Sequence, residues 1–234
     1  VPQNTLGAEL RQLENKQWEQ ITLPHTPFVE PLTVLHQWQG ICYYKKKITI
    51  TPEEAKKHIW IEFEGAMHLA DVWINGKHVM QHAGGYTPFV VDATGLLKTG
   101  KENELLVRLD NRNNSLIPPG KPLETLDFCY YGGIYRNVHL IAKADVHITH
   151  PILDGHPAGA GIFITYPKVS QELSVVDAKT EIKNTSDKEK VVELRHTLYT
   201  WKKQKGKDKK VQNISETLTL HPGVTIENNQ RMEV

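Results

Sequence analysis

Cysteine is scarce in this chain, at two residues in 234, Cys42 and Cys129. No disulfide framework of the small secreted kind can be built from them. Both sit among apolar residues and read as buried thiols, and a bridge between the two is left open. Long apolar runs are also missing. None approaches the ~20 residues that span a bilayer, so no membrane helix is expected. Charge of either sign is balanced: 28 Lys+Arg stand against 27 Asp+Glu. The balance holds locally, with 14 basic against 15 acidic residues in 1–142 and 14 against 12 in 143–234. A polyanion-binding role therefore has no electrostatic support, and no nucleic-acid partner is expected. The start "VPQNTLGAEL" has no basic segment followed by an apolar one, and no Met. It reads as a processed or trimmed chain. A periplasmic or secreted location is favoured, with a cytoplasmic one left open.

Helical periodicity is rare. Only 7–16 and 52–57 read as short helices. The rest alternates. In "HIWIEFEG", Ile59, Ile61 and Phe63 share one face and Trp60, Glu62 and Glu64 the other. Asn75-Gly76 between two strand-like runs is a strong hairpin signal. Leu105, Val107 and Leu109 share a face, as do Ile134, Val138 and Leu140, with Arg136 at the same parity. After 143–150 a fresh set of strands begins: Val176, Ala178, Thr180 and Ile182 face one way, and Val192, Leu194 and Leu198 do the same. The expected fold is all-β. A jelly-roll sandwich over 1–142 is followed by an immunoglobulin-like sandwich over 143–234. The ending "ENNQRMEV" reads as the middle of a strand. The second unit is thus expected to be incomplete, with an open edge prone to pairing.

Several features read as structural. His78 and His82 lie in a strand. His147 and His150, three apart, are expected on opposite strand faces. No Cys or carboxylate cluster completes a metal site, so no metal or other cofactor is expected. "KKQKGKDKK", 202–210, reads as a solvated hairpin tip. Sequons stand at Asn113, Asn184 and Asn213.

Four stretches carry a resemblance. "WEQITLPHT", "GICYYKKKITI", "FEGAMHLADVWINGKHVMQHAGGYTPFVVDAT" and "DFCYYGGIYRNVHL" together resemble the N-terminal part of glycoside hydrolase family 2, the family of the β-galactosidases, β-glucuronidases and β-mannosidases. Thr26, Cys42-Tyr43 and Lys45 depart from the usual pattern and bear on the subfamily. The resemblance implies a non-catalytic portion of a retaining exo-glycosidase acting on terminal β-glycosides, most simply a β-galactosidase. A free-standing carbohydrate-binding module is the alternative. The catalytic glutamates of the family lie on a barrel that this chain does not contain, so the chain alone is expected to be inactive. Asn103-Glu104 echoes the acid motif, but its strand context makes it a surface or turn feature. The resemblance implies that Asp127 helps bind the terminal sugar, together with the barrel. A carboxylate suits sugar hydroxyls, being an acceptor only. Capping of local N–H groups, or pairing with Arg136, is the competing role for Asp127. Gln37 is a weaker candidate for a sugar contact. Tyr131 and Arg136 are read as supports of the loop, Arg136 as an inward ion pair with Asp127 or Asp92, unless a bulge at Gly132-Gly133 turns it outward. The parent is expected to bind carbohydrate, without nucleic acid or membrane, and homo-oligomerisation is open.

Overall fold

The structure is a computed structural model describing residues 13, 16–29, 37–126, 128, 130–155, 160–200 and 209–234. The expected helix at 7–16, Asp127, Cys129 and most of the lysine run fall outside the described residues, apart from isolated positions.

The fold is all-β. One sheet has the order β1-β6-β3-β4, formed by β1 (Ile41–Ile48), β6 (Asn103–Asp110), β3 (Leu69–Ile74) and β4 (Lys77–Ala83). It faces a sheet of order β5-β2-β7, formed by β5 (Phe89–Asp92), β2 (His58–Phe63) and β7 (Val138–Lys143). Alternation decides the core. Ile59, Ile61 and Phe63 from one sheet meet Val72, Leu105, Val107 and Leu109 from the other, all buried. The β3–β4 hairpin turns at Asn75 and Gly76, both at positive φ (51° and 79°) as a type I′ turn requires.

Asn103 corrects an expectation. It is fully buried, not a surface feature. Its Oδ1 accepts from Lys98 N–H (2.7 Å) and Asn75 Nδ2 (2.9 Å), and its Nδ2 donates to the carbonyls of Ile48, Lys98 and Lys101. It ties the β1 end, the 98–101 turn and the hairpin together. Glu104 instead pairs with Lys45 at the surface (2.6 Å).

The remaining strands are β8 (Val146–Ile148), β9 (Ile162–Val169), β10 (Ser174–Asn184), β11 (Lys190–Tyr199), β12 (Lys210–Leu220) and β13 (Thr225–Glu233). β10 pairs with β13 on one side and with β8 and β9 on the other, while β11 and β12 form a separate two-stranded sheet. Val176, Ala178, Thr180 and Ile182 point inward, as alternation predicts. Ile162 and Ile164, opposite Thr180 and Ala178, stay 51% and 48% exposed.

The histidines near the junction do not obey strand alternation. β8 ends at Ile148, so His150 lies beyond the strand, and both His147 and His150 pack edge-on against Trp60, at 5.3 and 5.4 Å. This contact covers the outward ring of Trp60. Among the described residues, no three His, Cys, Asp or Glu side chains gather to hold a metal ion.

Candidate functional site

Between β6 and β7 the chain leaves the sandwich in a long excursion, and its last part is held from several directions. Tyr130 is the internal anchor. Its ring is buried with Met67, Leu123, Leu126 and Tyr135. Its hydroxyl donates to the Pro118 carbonyl (3.2 Å) and lies 3.1 Å from His68 Nδ1. Gln37 grips the backbone around it: the amide donates to the Phe128 carbonyl (3.1 Å), and Oε1 accepts from Tyr130 N–H. Gln37 thus spends both ends of its amide on shaping the loop.

The two glycines allow close approach. A Cβ on Gly132 would sit 2.9 Å from Asn111 Nδ2 and 3.1 Å from the Trp38 ring. Buried Asn111 in turn binds Trp38 O (3.0 Å) and Gly40 N–H (2.7 Å). Gly133 has φ +100°, and a Cβ there would meet Tyr44 Oη at 2.5 Å and the His25 carbonyl at 2.7 Å. Its own carbonyl accepts from Met67 N–H (2.9 Å), and the Ile134 carbonyl accepts from His25 N–H (2.8 Å). His25 Nδ1 lies 2.9 Å from Tyr44 Oη. The Tyr135 hydroxyl donates to the Gly85 carbonyl. Residues 25, 44, 67 and 85 therefore come from three separate stretches and converge on the fourth.

Arg136 takes the outward of its two readings, not the inward ion pair. It is exposed, with its guanidinium over the Tyr135 ring at 5.7 Å. β7 starts only at Val138, and Gly133 has turned the backbone, so strand parity does not extend back to 136. Asp92 caps Thr94 N–H (3.0 Å) and is not its partner. Tyr131 is half-buried beside the glycines.

An open depression of about 650 Å³ is bordered by Gln39, His68, Leu69, Asp110, Arg112, Asn113 and Asn114. Burial works to raise the Asp110 pKa. Hydrogen bonds from Arg112 (Nε at 2.9 Å, guanidinium N at 2.6 Å), with its charge and that of Arg108, outweigh burial and hold it below the ordinary range. The Tyr130 phenol is pushed up to about 12, first by burial and then by Tyr86 and Tyr135. Burial pushes the Cys42 thiol up to about 12 as well, a packed group and not a nucleophile. Apart from Leu69, the depression is lined by hydrogen-bond donors and acceptors.

A pH response follows. Burial lowers the pKa of His68, His82 and His147 below 6.5. The unfolded chain then takes up those protons first, so stability falls as pH drops from about 6.5 toward the folded values and levels off below them. Asp110 and Asp154 lie below the ordinary 3.8, so their stabilisation is present above that value and is lost as pH falls through their folded values. The urea midpoint is expected to decline in two steps between pH 8 and 3. A flat profile from pH 7 to 5.5 would remove the histidine step.

The sequence profile described as "Glycosyl hydrolases family 2, sugar binding domain" matches residues 15–144. A β-glucuronidase of Formosa agariphila is 32% identical over 190 residues, covering 76% of this chain and 19% of the relative. A β-galactosidase of Thermoanaerobacter pseudethanolicus is 32% identical over 190 residues, covering 79% and 25%. The structure of Bacteroides uniformis β-glucuronidase 2 superposes with a TM-score of 0.75 at 30% identity, covering 93% of this chain and 24% of that one. The chain thus spans about a fifth to a quarter of the length of these relatives. On the profile match, the identities and the convergence of the four stretches, the chain belongs to glycoside hydrolase family 2, with the family's sugar-binding domain at 15–144.

Proposed function

We propose that this chain is a non-catalytic, pocket-shaping portion of a retaining exo-glycosidase that cuts terminal β-glycosides. The observation carrying the reading is the hold on the residues that follow Asp127 in the chain: Gln37 binds the backbone of Phe128 and Tyr130, and His25, Met67 and Gly85 bind residues 133–135. In this reading Asp127 presents its carboxylate to sugar hydroxyls, and Gln37, Tyr131 and Arg136 serve the loop's shape. Residues 143–234 act as an immunoglobulin-like spacer. Retaining hydrolysis needs an acid/base and a nucleophile ~5–5.5 Å apart, and both belong to a catalytic barrel elsewhere in a longer protein.

For the sugar, β-galactoside is the first choice, given the β-galactosidase among the relatives. β-Glucuronide is the second reading, favoured by the Asp127-Phe128…Tyr131…Gly133 pattern and by the β-glucuronidase relatives. The test is hydrolysis of p-nitrophenyl β-galactoside and p-nitrophenyl β-glucuronide by the chain alone. No release above the buffer rate is expected; steady turnover of either would overturn the non-catalytic reading.

A further inference from the structure

Every residue of β9 is exposed, and its apolar side chains stand on both faces. Ile162 and Ile164 lie on the inner face, opposite buried Thr180 and Ala178, and Phe163 lies on the outer face, opposite Lys179. These three and Tyr166 are between 42% and 64% exposed. β9 pairs with β10 along one edge, and no described strand pairs with the other. Free edges are ordinarily guarded by charge or proline, since their unpaired N–H and C=O groups invite another strand. β1 carries Lys45, Lys46 and Lys47 on such an edge, and β11 carries Glu193 and Arg195. In β9 the guards, Pro167 and Lys168, come only after Tyr166. At the other end Gly161 turns the chain at φ +80°, its N–H donating to Thr149 Oγ1 (2.9 Å) and its carbonyl accepting from Glu181 N–H (2.9 Å). The unguarded edge is therefore 162–166.

We propose that this edge is an interface between two copies of the chain, β9 of one adding antiparallel to β9 of the other about a two-fold axis at Ile164. The occupant follows from the two-sided pattern. A layer stacked on the inner face would leave Phe163 wet, whereas a strand added at the edge flanks both faces at once. That strand must itself be apolar on both faces and free of charge along the paired length, and 162–166 meets the requirement. Centred on Ile164, the pairing sets Ile162 of one copy against Tyr166 of the other, and Phe163 against Thr165. It leaves Pro167 and Lys168 outside the paired segment. No like charges then face each other, and no proline interrupts the ladder. The two-fold contact closes on itself, so assembly stops at the dimer. One short strand from each copy makes a contact well below the ~1,600 Å² of a standard interface, so the dimer is weak and depends on concentration.

Sedimentation velocity on the full 234-residue chain tests it, from about 1 μM to about 1 mM, the range in which weak contacts are read. Wild type should pass from monomer to dimer across that range. Ile164→Lys sets two ammonium groups together on the axis and should weaken the dimer about tenfold or more. An equimolar mixture of Ile164→Lys and Ile164→Glu should restore it, because position 164 faces itself. Val191→Lys, a charge added at an exposed side chain of β11, should leave the dimer unchanged. Should a variant at 164 not fold, Phe163→Lys mixed with Thr165→Glu carries the same test, since those positions face each other across the axis. Wild type that stays monomeric overturns the proposal. So do growth beyond the dimer, an Ile164→Lys dimer of undiminished strength, and a charge-swapped mixture that stays monomeric.

Discussion

Replacing Arg108 with alanine is expected to lower the unfolding free energy by about 3–5 kcal/mol, the range for breaking a buried ion pair from one side. Arg108 is 1% exposed in the middle of β6. Its guanidinium lies 3.5 Å from the Asp71 carboxylate and 3.3 Å from that of Asp110. Asp71 is equally buried, with Gln81 (2.8 Å) and His78 (3.1 Å) as its other partners. Truncation would leave Asp71 charged, dry and facing a neutral amide and a half-exposed histidine. Asp110 suffers less because Arg112 also holds it. An Arg108→Leu/Asp71→Leu pair should recover much of the loss, since it removes both charges at once. Urea unfolding of the three proteins reads this directly. A loss below about 1 kcal/mol in Arg108→Ala would show that the buried network is not a stabilising element.

That network was not legible in the sequence. On β6 the outward positions Glu104, Leu106, Arg108 and Asp110 look like an ordinary wet face, yet three of the four are buried. Alternation says which side a residue takes, and is silent on what covers that side. The inner faces of β2, β6 and β10 were readable for the same reason: there the period-2 pattern and burial coincide. Pattern failed where strands end. Arg136 lies ahead of β7, and His150 lies past β8, so parity counted through them was misplaced. Asn103 reads as a surface or turn residue because two of the four residues it binds, Ile48 and Asn75, lie far along the chain, while only Lys98 and Lys101 are local. The loop shows the same limit on a larger scale. The resemblance marked all four stretches, but only the fold shows that residues 25, 44, 67 and 85 meet at residues 133–135. Asn111 and Tyr130, which do much of the holding, carried no signal beyond their place near the motifs.

Gly133→Ala is expected to be nearly as damaging as Arg108→Ala, with a loss of about 3 kcal/mol. The estimate combines overpacking of 1–3 kcal/mol with 1–3 kcal/mol for a non-glycine residue in a sparsely populated backbone region. The φ of +100° is one that L side chains rarely adopt. The added methyl would also meet Tyr44 Oη at 2.5 Å, the His25 carbonyl at 2.7 Å and Pro27 Cδ at 2.9 Å. Tyr44 could rotate, but the His25 carbonyl is backbone. Relief therefore requires the loop to lift away from the 23–27 segment. That movement would strain three hydrogen bonds together: Met67 N–H to Gly133 O, His25 N–H to Ile134 O, and Tyr135 O–H to Gly85 O.

Amide hydrogen exchange on wild type and Gly133→Ala tests the central claim, that the sandwich locks this loop in place. In wild type, the N–H groups of His25, Met67 and Tyr130 are predicted to be protected. In the variant they should exchange at least about 100-fold faster, the equivalent of about 3 kcal/mol, and should lose no less protection than the core amides of β3 and β6. Fast exchange of all three in wild type would contradict the account, because the loop would then never have been held.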